Sequence, residues 1–400
     1  MRGLLKLGNV KIDFNYNYKD ILVVPAGALK AKKIFVLALS LFIAFLFHSI
    51  FIYLADSING GQSETVYMFF GLFPITVFQI DIFYPLIVYL AGLLLALISI
   101  AIGFMAVAII DFEAIRGNQF LSCWQALKFS LGKLKQLILS WLAIILFIAF
   151  IVLLALIVGL IARIPYLGEI IYSLFFFFPD FIVALFTVLA VFVLILSILV
   201  MPAAVAADRN EETFNSVLDT FSTIIRRPVK WIIYTVYSLI AAKVCGFVFA
   251  YFAFRAIQFL QISARLGGGE KINSLLAAGA AHLPYKSELV GFTTNIFPGI
   301  NFGFDIGKLF SQTDYGGLAS YIMAISLVLI FLTIWGYIFS VIATGQAYAF
   351  AIIKKSRDGF AIGDERPIFY KEEWVNPPIE NEDSDREDNN TATQDKSGLI

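Results

Sequence analysis

Long runs of apolar residues constrain the fold of this chain more than any other feature of its sequence. A helix that crosses a bilayer needs about 20 mostly apolar residues, because the hydrocarbon core is about 30 Å thick. The sequence contains six such runs, at 34–54, 83–110, 137–161, 181–206, 231–254 and 318–353. It therefore predicts an all-α integral membrane protein with about six transmembrane helices. Small residues near the ends of the second and last runs, such as Gly103 and Gly345, predict close helix packing there.

Composition supports the same class and excludes several functions. Hydrophobic residues make up 60% of the chain and charged residues 14%, whereas a soluble domain is about half apolar and a quarter charged. The formal net charge is zero, which argues against nucleic acid as a partner. The sequence has no zinc-protease, serine-hydrolase or nucleotide-binding motif, and its cysteines and histidines lack metal-ligand spacing. We therefore expect no enzymatic activity, no cofactor and no metal site.

The segments outside these runs define the domain organisation. Residues 1–19 form an N-terminal arm with alternating apolar side chains, which predict a short strand or an extended segment. The alternating residues are Ile12, Phe14, Tyr16 and Tyr18. Within the transmembrane domain, 20–353, the apolar stretch 170–178 is too short to span and predicts a half-helix or an interfacial segment. Residues 354–400 form an acidic cytoplasmic tail, which we expect to be disordered because it has little apolar surface to bury.

Basic residues set the orientation of the predicted helices. Lysines and arginines cluster before the first run, between the second and third, between the fourth and fifth, and after the last. On the other side, 55–82 contains no Lys or Arg and 162–180 contains only Arg163. The long outer loop 255–317 has several basic residues, but long loops weigh little in this rule. Because basic residues favour the cytoplasmic side, we expect both termini in the cytoplasm and the protein in a bacterial inner membrane.

An internal repeat is visible in the segments that precede the spans. A shift of 94 residues aligns two helical stripes of apolar residues. The aligned sets are Phe120, Cys123, Trp124, Leu127 and Leu131, and Phe214, Val217, Leu218, Phe221 and Ile225. The ends of the second, fourth and last runs are also alike, as AVAIID, AVAADR and AFAIIKK. These similarities predict three units of interfacial helix and helical hairpin, at about 20–110, 118–206 and 212–353.

The segment ADRNEETFNSVLDTFSTIIRRPVKWIIYTV is interpreted as an amphipathic elbow between spans. Its apolar stripe is expected at the boundary of headgroups and acyl chains or against the bundle, although docking of a partner protein is an alternative. Pro228 is expected to end the helix. The predicted interfacial anchors, which favour anionic headgroups or the aromatic belt, are Arg226, Arg227, Lys230 and Trp231, with Trp124 and Lys133 in the preceding elbow.

Charges inside the apolar runs are the best candidates for a functional site, because an unpaired charge in the membrane costs a few kcal/mol or more. Lys243 lies about 18 Å beyond Trp231 along a helix and thus near the middle of the hydrocarbon core. Asp180 follows Pro179, and this pair suits a helix N-cap. The alternative is a broken helix that lines a cavity, with Asp180 and Lys243 both facing it.

A resemblance to known proteins is carried by AIRGNQFLSCWQALKFSLGKLKQLIL and MPAAVAADRNEETFNSVLDTFSTIIRRPVKWIIYTV. These stretches resemble an uncharacterised class of bacterial polytopic membrane proteins. They are more distantly similar to the membrane regions attached to some glycerophosphodiester phosphodiesterases. The resemblance covers about 100–255 and concerns architecture alone, namely a polar elbow, a basic cluster and a returning span. It implies no activity, because the sequence lacks the catalytic domain of those enzymes, and it implies no catalytic or binding residue.

Three functional hypotheses follow. The first is a non-enzymatic scaffold or a subunit of a membrane assembly, with the bilayer and a membrane protein as partners. The second is a transporter or permease for a small molecule or lipid, which requires a polar cavity near Lys243 and Asp180. The third is a membrane enzyme that acts on lipid, which requires titratable groups clustered at one interface.

Overall fold

The computed structural model describes residues 14–60, 66, 83–210, 212–283, 295–296 and 317–369. All regular structure in these ranges is helical. The helices are α1 (Tyr18–Leu22), α2 (Val24–Ala28), α3 (Ala31–Ile58), α4 (Phe83–Ile115), α5 (Cys123–Gly132), α6 (Leu134–Ile161), α7 (Leu167–Ile171), α8 (Phe177–Ala207), α9 (Thr213–Arg226), α10 (Pro228–Gly268), α11 (Glu270–Ala281) and α12 (Leu318–Asp358). A π-helical turn, Tyr172–Phe176, joins α7 to α8, and a 3₁₀ turn, Ile362–Asp364, follows α12.

Six helical segments are long and apolar enough to cross a membrane. They are α3, α4, α6, the continuous segment from α7 to α8, α10 and α12. Each contains one of the six runs in the sequence, so the prediction of a multi-pass membrane protein with about six spans is confirmed. The chain is long enough in each segment to cross about 30 Å of hydrocarbon at 1.5 Å per residue.

The spans form three antiparallel pairs, α3 with α4, α6 with α8, and α10 with α12. The three returning helices, α4, α8 and α12, also contact one another and occupy the centre. Near the end of each of them one stretch is buried without interruption, at 103–117, 200–207 and 343–353. Glycine also lets α4 approach α3 closely, since a Cβ atom on Gly103 would lie 2.7 Å from Ser40 Oγ. We call this end, where α3, α6 and α10 begin and α4, α8 and α12 end, the base of the bundle.

The hairpin of α6 and α8 leaves the bundle away from the base. The last buried residue of α6 is Ile144, and the first buried residue of α8 is Ala190. Between them almost every large apolar side chain is exposed, as in Phe147, Leu185 and Phe186. Only the half of this hairpin nearer the base is therefore packed against other spans.

The described part of the N-terminal arm is not a strand. Phe14 and Tyr16 lie in irregular backbone and pack edge to face, with ring centroids 4.7 Å apart. A helix then begins at Tyr18, because Asn17 and Asp20 form a capping box. Ile12 lies outside the described residues.

The apolar stretch 170–178 is continuous with the fourth span instead of forming a separate half-helix. The π-helical turn shifts the hydrogen-bond register before Pro179, which has no N–H to donate. Asp180 consequently lies within the first turn of α8 and is not its N-cap, which is Phe176.

Helical structure continues past two of the predicted boundaries of the transmembrane domain. The outer loop was expected to begin at 255, but α10 continues to Gly268 and α11 follows, with Leu276 buried. The tail was expected from 354, but α12 runs to Asp358 and Ile362 is buried against the base. Apolar contacts at both places supply the burial that composition alone does not reveal. Residues 370–400 lie outside the described part of the chain.

Candidate functional site

A buried ion pair joins three spans at the base. Lys33, near the start of α3, places its ammonium nitrogen 2.5 Å from Asp111 Oδ1 on α4 and 3.0 Å from Thr344 Oγ1 on α12. The side chain of Lys33 is fully buried, and that of Asp111 is 2% exposed. The second carboxylate oxygen of Asp111 is buried without a hydrogen-bond partner among the described residues. The arrangement thus combines a buried charge pair with one carboxylate oxygen, Asp111 Oδ2, that could still accept a hydrogen bond.

Glu113 attaches the segment after α12 to the same end of the bundle. Its buried carboxylate accepts hydrogen bonds from the backbone N–H of Ile368, at 2.9 Å, and from Arg116 Nη1, at 3.2 Å. Arg116 also pairs with Glu365, which Arg209 contacts at 2.9 Å. These bonds connect the ends of α4 and α8 to residues 365–368.

Tyr16 makes a second attachment for the chain beyond α12. Its hydroxyl oxygen accepts a hydrogen bond from the backbone N–H of Gly363 at 2.7 Å, and Lys355 Nζ lies 4.2 Å from the centre of its ring. Burial raises the pKa of the Tyr16 phenol above its ordinary value. The N-terminal arm and the end of α12 are thus held together.

The second hairpin is closed by a hydrogen bond between its two ends. Gln136 Nε2, on α6, lies 2.6 Å from Asp208 Oδ2, just beyond α8, and 2.9 Å from Ser216 Oγ on α9. Asp208 also accepts a hydrogen bond from the backbone N–H of Glu212 at 3.0 Å, just before α9 begins. Lys133, predicted as an interfacial anchor, is instead buried and donates to the carbonyl of Asp208.

The third hairpin is closed by Trp231. This residue was also predicted at the membrane interface, but it is buried and donates through Nε1 to Gln346 Oε1 at 3.2 Å. Gln346 in turn donates to Thr235 Oγ1 at 3.1 Å. The indole turns inward because α12 offers an acceptor at that depth, and a buried N–H needs one.

The elbow helices divide their large apolar side chains between the bundle and the outside. On α9 the buried residues are Ser216, Thr220, Thr223 and Ile224. The exposed apolar residues of the two elbows are Phe214, Leu218 and Ile225 on α9, and Trp124 and Leu131 on α5. Leu127 on α5 is buried, and Val217 and Phe221 on α9 pack against the core. Each stripe therefore lies at the boundary between the bundle and the lipid. Arg226, Arg227 and Lys230 are exposed beside it, where α9 ends before Pro228.

The two candidate intramembrane charges do not meet. Asp180 accepts a hydrogen bond from Tyr172 Oη at 2.8 Å, across the π-helical turn. Lys243 lies on the outer face of α10 with its side chain exposed. Among the described residues no hydrogen bond or ion pair joins Asp180 to Lys243. Counted along the helices from the base, Asp180 is about 40 Å away and Lys243 about 20 Å, so the fold does not place them in one cavity.

Sequence reasoning missed the charges that the fold does bring together. Lys33 was counted only for orientation, and Asp111 only as the end of a repeated motif. Asp219 on α9 was also missed; it contacts Lys354 Nζ at 2.7 Å and Arg357 Nη2 at 2.6 Å. The available signal was a carboxylate at the end of one apolar run and lysines at the edges of others, but it does not identify the pairs.

The described residues contain no group of three His, Cys, Asp or Glu side chains that could hold a metal ion. No family model, curated protein or solved structure matches the chain. The side-chain geometry is therefore the basis for assigning a function.

Proposed function

We propose that this chain is a non-enzymatic membrane scaffold, a structural subunit of a larger assembly in a bacterial inner membrane. The observation that carries the proposal is the base, where residues 103–117, 200–207 and 343–353 pack without exposed side chains. Small residues and buried polar bonds hold these helices in one arrangement. A rigid core of this kind suits a scaffold protein, which holds other proteins in fixed positions.

The finer architecture belongs to the same proposal. Three units of interfacial helix and helical hairpin, with both termini in the cytoplasm, are supported by one polar contact at the base of each hairpin. The contacts are Lys33 with Asp111, Gln136 with Asp208, and Trp231 with Gln346. Exposed basic residues at the elbows support a cytoplasmic base, because anionic headgroups attract them there.

Purification of the full chain at native expression level, in mild detergent, tests the scaffold proposal. Quantitative mass spectrometry of the bound proteins and lipids should find one protein partner in a fixed ratio to the chain. The partner should be lost from a variant with Phe214→Ser and Leu218→Ser, or from one truncated after 369, and retained by Ser222→Ala on the same helix. A chain that purifies without protein partners but with one specific lipid or small molecule would contradict the proposal.

A transporter or permease is the second candidate, and the buried site at Lys33 favours it. Charged residues inside transmembrane bundles often belong to ion pathways, and Asp111 keeps one unused acceptor oxygen. Transport would require the base to open and the ion pair to separate. Substrate-dependent accessibility of a cysteine at Thr344 in membrane vesicles would support this candidate over the scaffold.

A further inference from the structure

The outer face of α10 carries a charge in the middle of an apolar surface. Lys243 is exposed, and it follows the exposed interfacial Lys230 by about 20 Å of helix. Its neighbours on the same face are exposed apolar residues, namely Ile232, Val236, Leu239, Ile240 and Val244. The side chain therefore projects into the hydrocarbon region from the outward side of the bundle.

No described element covers this face. The buried residues of α10 at the same height are Ala241, Ala242, Gly246 and Ala250, and Gly246 lies against Ile338 of α12. Helix α12 thus packs on the adjoining side of α10, and Lys243 itself stays exposed. In the part of the chain that the structure describes, Lys243 makes no hydrogen bond or ion pair, whereas Lys33 and Lys354 each contact an aspartate.

A lysine at this depth needs a counter-charge. An unpaired lysine near the bilayer centre is unfavourable, because its charge is removed from water. Its stem can carry the ammonium only part of the way to the headgroups. Within this chain, the fold commits the carboxylate of Asp111 to Lys33. Asp56 and Asp180, on other spans, lie at least about 15 Å farther from the base than Lys243. A second copy of the described residues therefore offers no suitable carboxylate at this height.

We propose that this face of α10 binds a transmembrane helix of a partner protein, and that this helix carries an aspartate or glutamate at the depth of Lys243. Apolar packing against Val236 and Ile240 supplies contact area, and the ion pair fixes the register and the identity of the partner. The inference rests on the scaffold proposal, since it names the chemistry of the partner that the scaffold holds.

Photo-crosslinking in native membranes tests this interface with the full-length chain. A photoreactive residue at Ile240 should give an adduct with a protein whose membrane span contains Asp or Glu. The same residue at Leu146, exposed on α6, is the matched control and should not give this adduct. Lys243→Leu should reduce the adduct by at least about tenfold, because one partner of a buried charge pair is then lost. Combining Lys243→Asp with a lysine in place of the partner's acid should restore it.

Several outcomes would overturn the inference. They are an adduct that Lys243→Leu leaves unchanged, an adduct formed only with a second copy of this chain, and an adduct formed only with lipid. If the purification still finds a stoichiometric partner in these cases, the α10 interface is wrong while the scaffold proposal stands. If neither experiment finds a protein partner, both proposals fail.

Discussion

The ammonium of Lys33 lies 2.5 Å from a carboxylate oxygen of Asp111, although 78 residues separate the two in the sequence. Neither side chain has contact with solvent beyond 2% of its surface. The pair therefore connects the first span to the second inside the bundle, and Thr344 adds the last span to the same bond network. Such a pair makes each partner costly to remove singly.

We expect Lys33→Met to lower the free energy of unfolding by about 3–5 kcal/mol, because Asp111 then remains buried and unpaired. The double variant Lys33→Met with Asp111→Leu should recover most of this loss, since no isolated charge remains. Steric-trap unfolding in bicelles measures the free energy of unfolding of the single and the double variant. Lys135→Met, at an exposed lysine on α6, serves as the control and should be close to wild type. Equal losses in the single and double variants would contradict the assignment.

Close packing between α12 and α3 should make Gly336 intolerant of a side chain. A Cβ atom there would lie 2.9 Å from the carbonyl oxygen of Ile34 and 3.1 Å from the backbone nitrogen of Ala38. Backbone atoms cannot rotate away, so we expect Gly336→Ala to destabilise the protein by about 1–3 kcal/mol. Gly159→Ala on α6 meets no atom within 4 Å and should be neutral or stabilising by up to about 1 kcal/mol. The free energy of unfolding of both variants is measured in the same way. If Gly336→Ala leaves it unchanged, α12 and α3 are farther apart than the structure shows.

Trp124 and Trp231 should report different environments. Trp124 is 71% exposed on the elbow α5, whereas Trp231 is 4% exposed inside the bundle. In variants that retain only one tryptophan, lipids brominated near the headgroup should quench Trp124 strongly and Trp231 weakly. Equal quenching of both would mean that the elbow does not lie in the interface.

Anionic lipid should bind at the end of α9. Arg226, Arg227 and Lys230 are exposed there, and each basic residue near an anionic surface contributes about 1 kcal/mol at low salt. Replacing all three with glutamine should reduce the retention of phosphatidylglycerol in native mass spectrometry, and salt should weaken the wild-type preference. Lys271→Gln on α11, at the opposite end of the bundle, should leave retention unchanged. Undiminished retention in the triple variant would assign the lipid to another surface.

The predicted sidedness can be measured with single cysteines in a background without Cys123 and Cys245. Cysteines at Arg227 and Lys355 should react with an impermeant maleimide from the cytoplasmic side, because both lie at the base. A cysteine at Gly267 should react only from the other side. Labelling of all three from one side would contradict the predicted topology.

The sequence predicted the spans because each apolar run must be long enough to cross the bilayer, and this requirement is local. It placed the end of the third span at Ile161, as the structure does. It missed the extension of α10 to Gly268, because Arg255, Gln258 and Arg265 there are polar. Helix formation at that point depends on contacts with α11 and α12, which local composition does not encode.

The site was less predictable, because pairing is a property of the folded bundle. Depth along a helix located Lys243 in the hydrocarbon region, but depth does not indicate whether a side chain points inward. The same limitation applied to Trp231. Its position near the membrane boundary predicted an interfacial side chain, but its indole points inward and donates a hydrogen bond to Gln346 on α12. The contacts of Lys33 with Asp111 and of Trp231 with Gln346 join residues 78 and 115 positions apart, which no local pattern reveals.

Because the polar contacts are concentrated at the base, the resistance of the molecule to an applied force depends on which end is pulled. Traction applied from the base loads the bonds of Lys33, Gln136 and Trp231 together, so they resist as a group. On the opposite end, the described outer half of the α6–α8 hairpin has no polar bond to another span, and a pull there separates the hairpin first. Extraction from the bilayer therefore requires more force when the protein is pulled from the base than when it is pulled from the outer half of the α6–α8 hairpin.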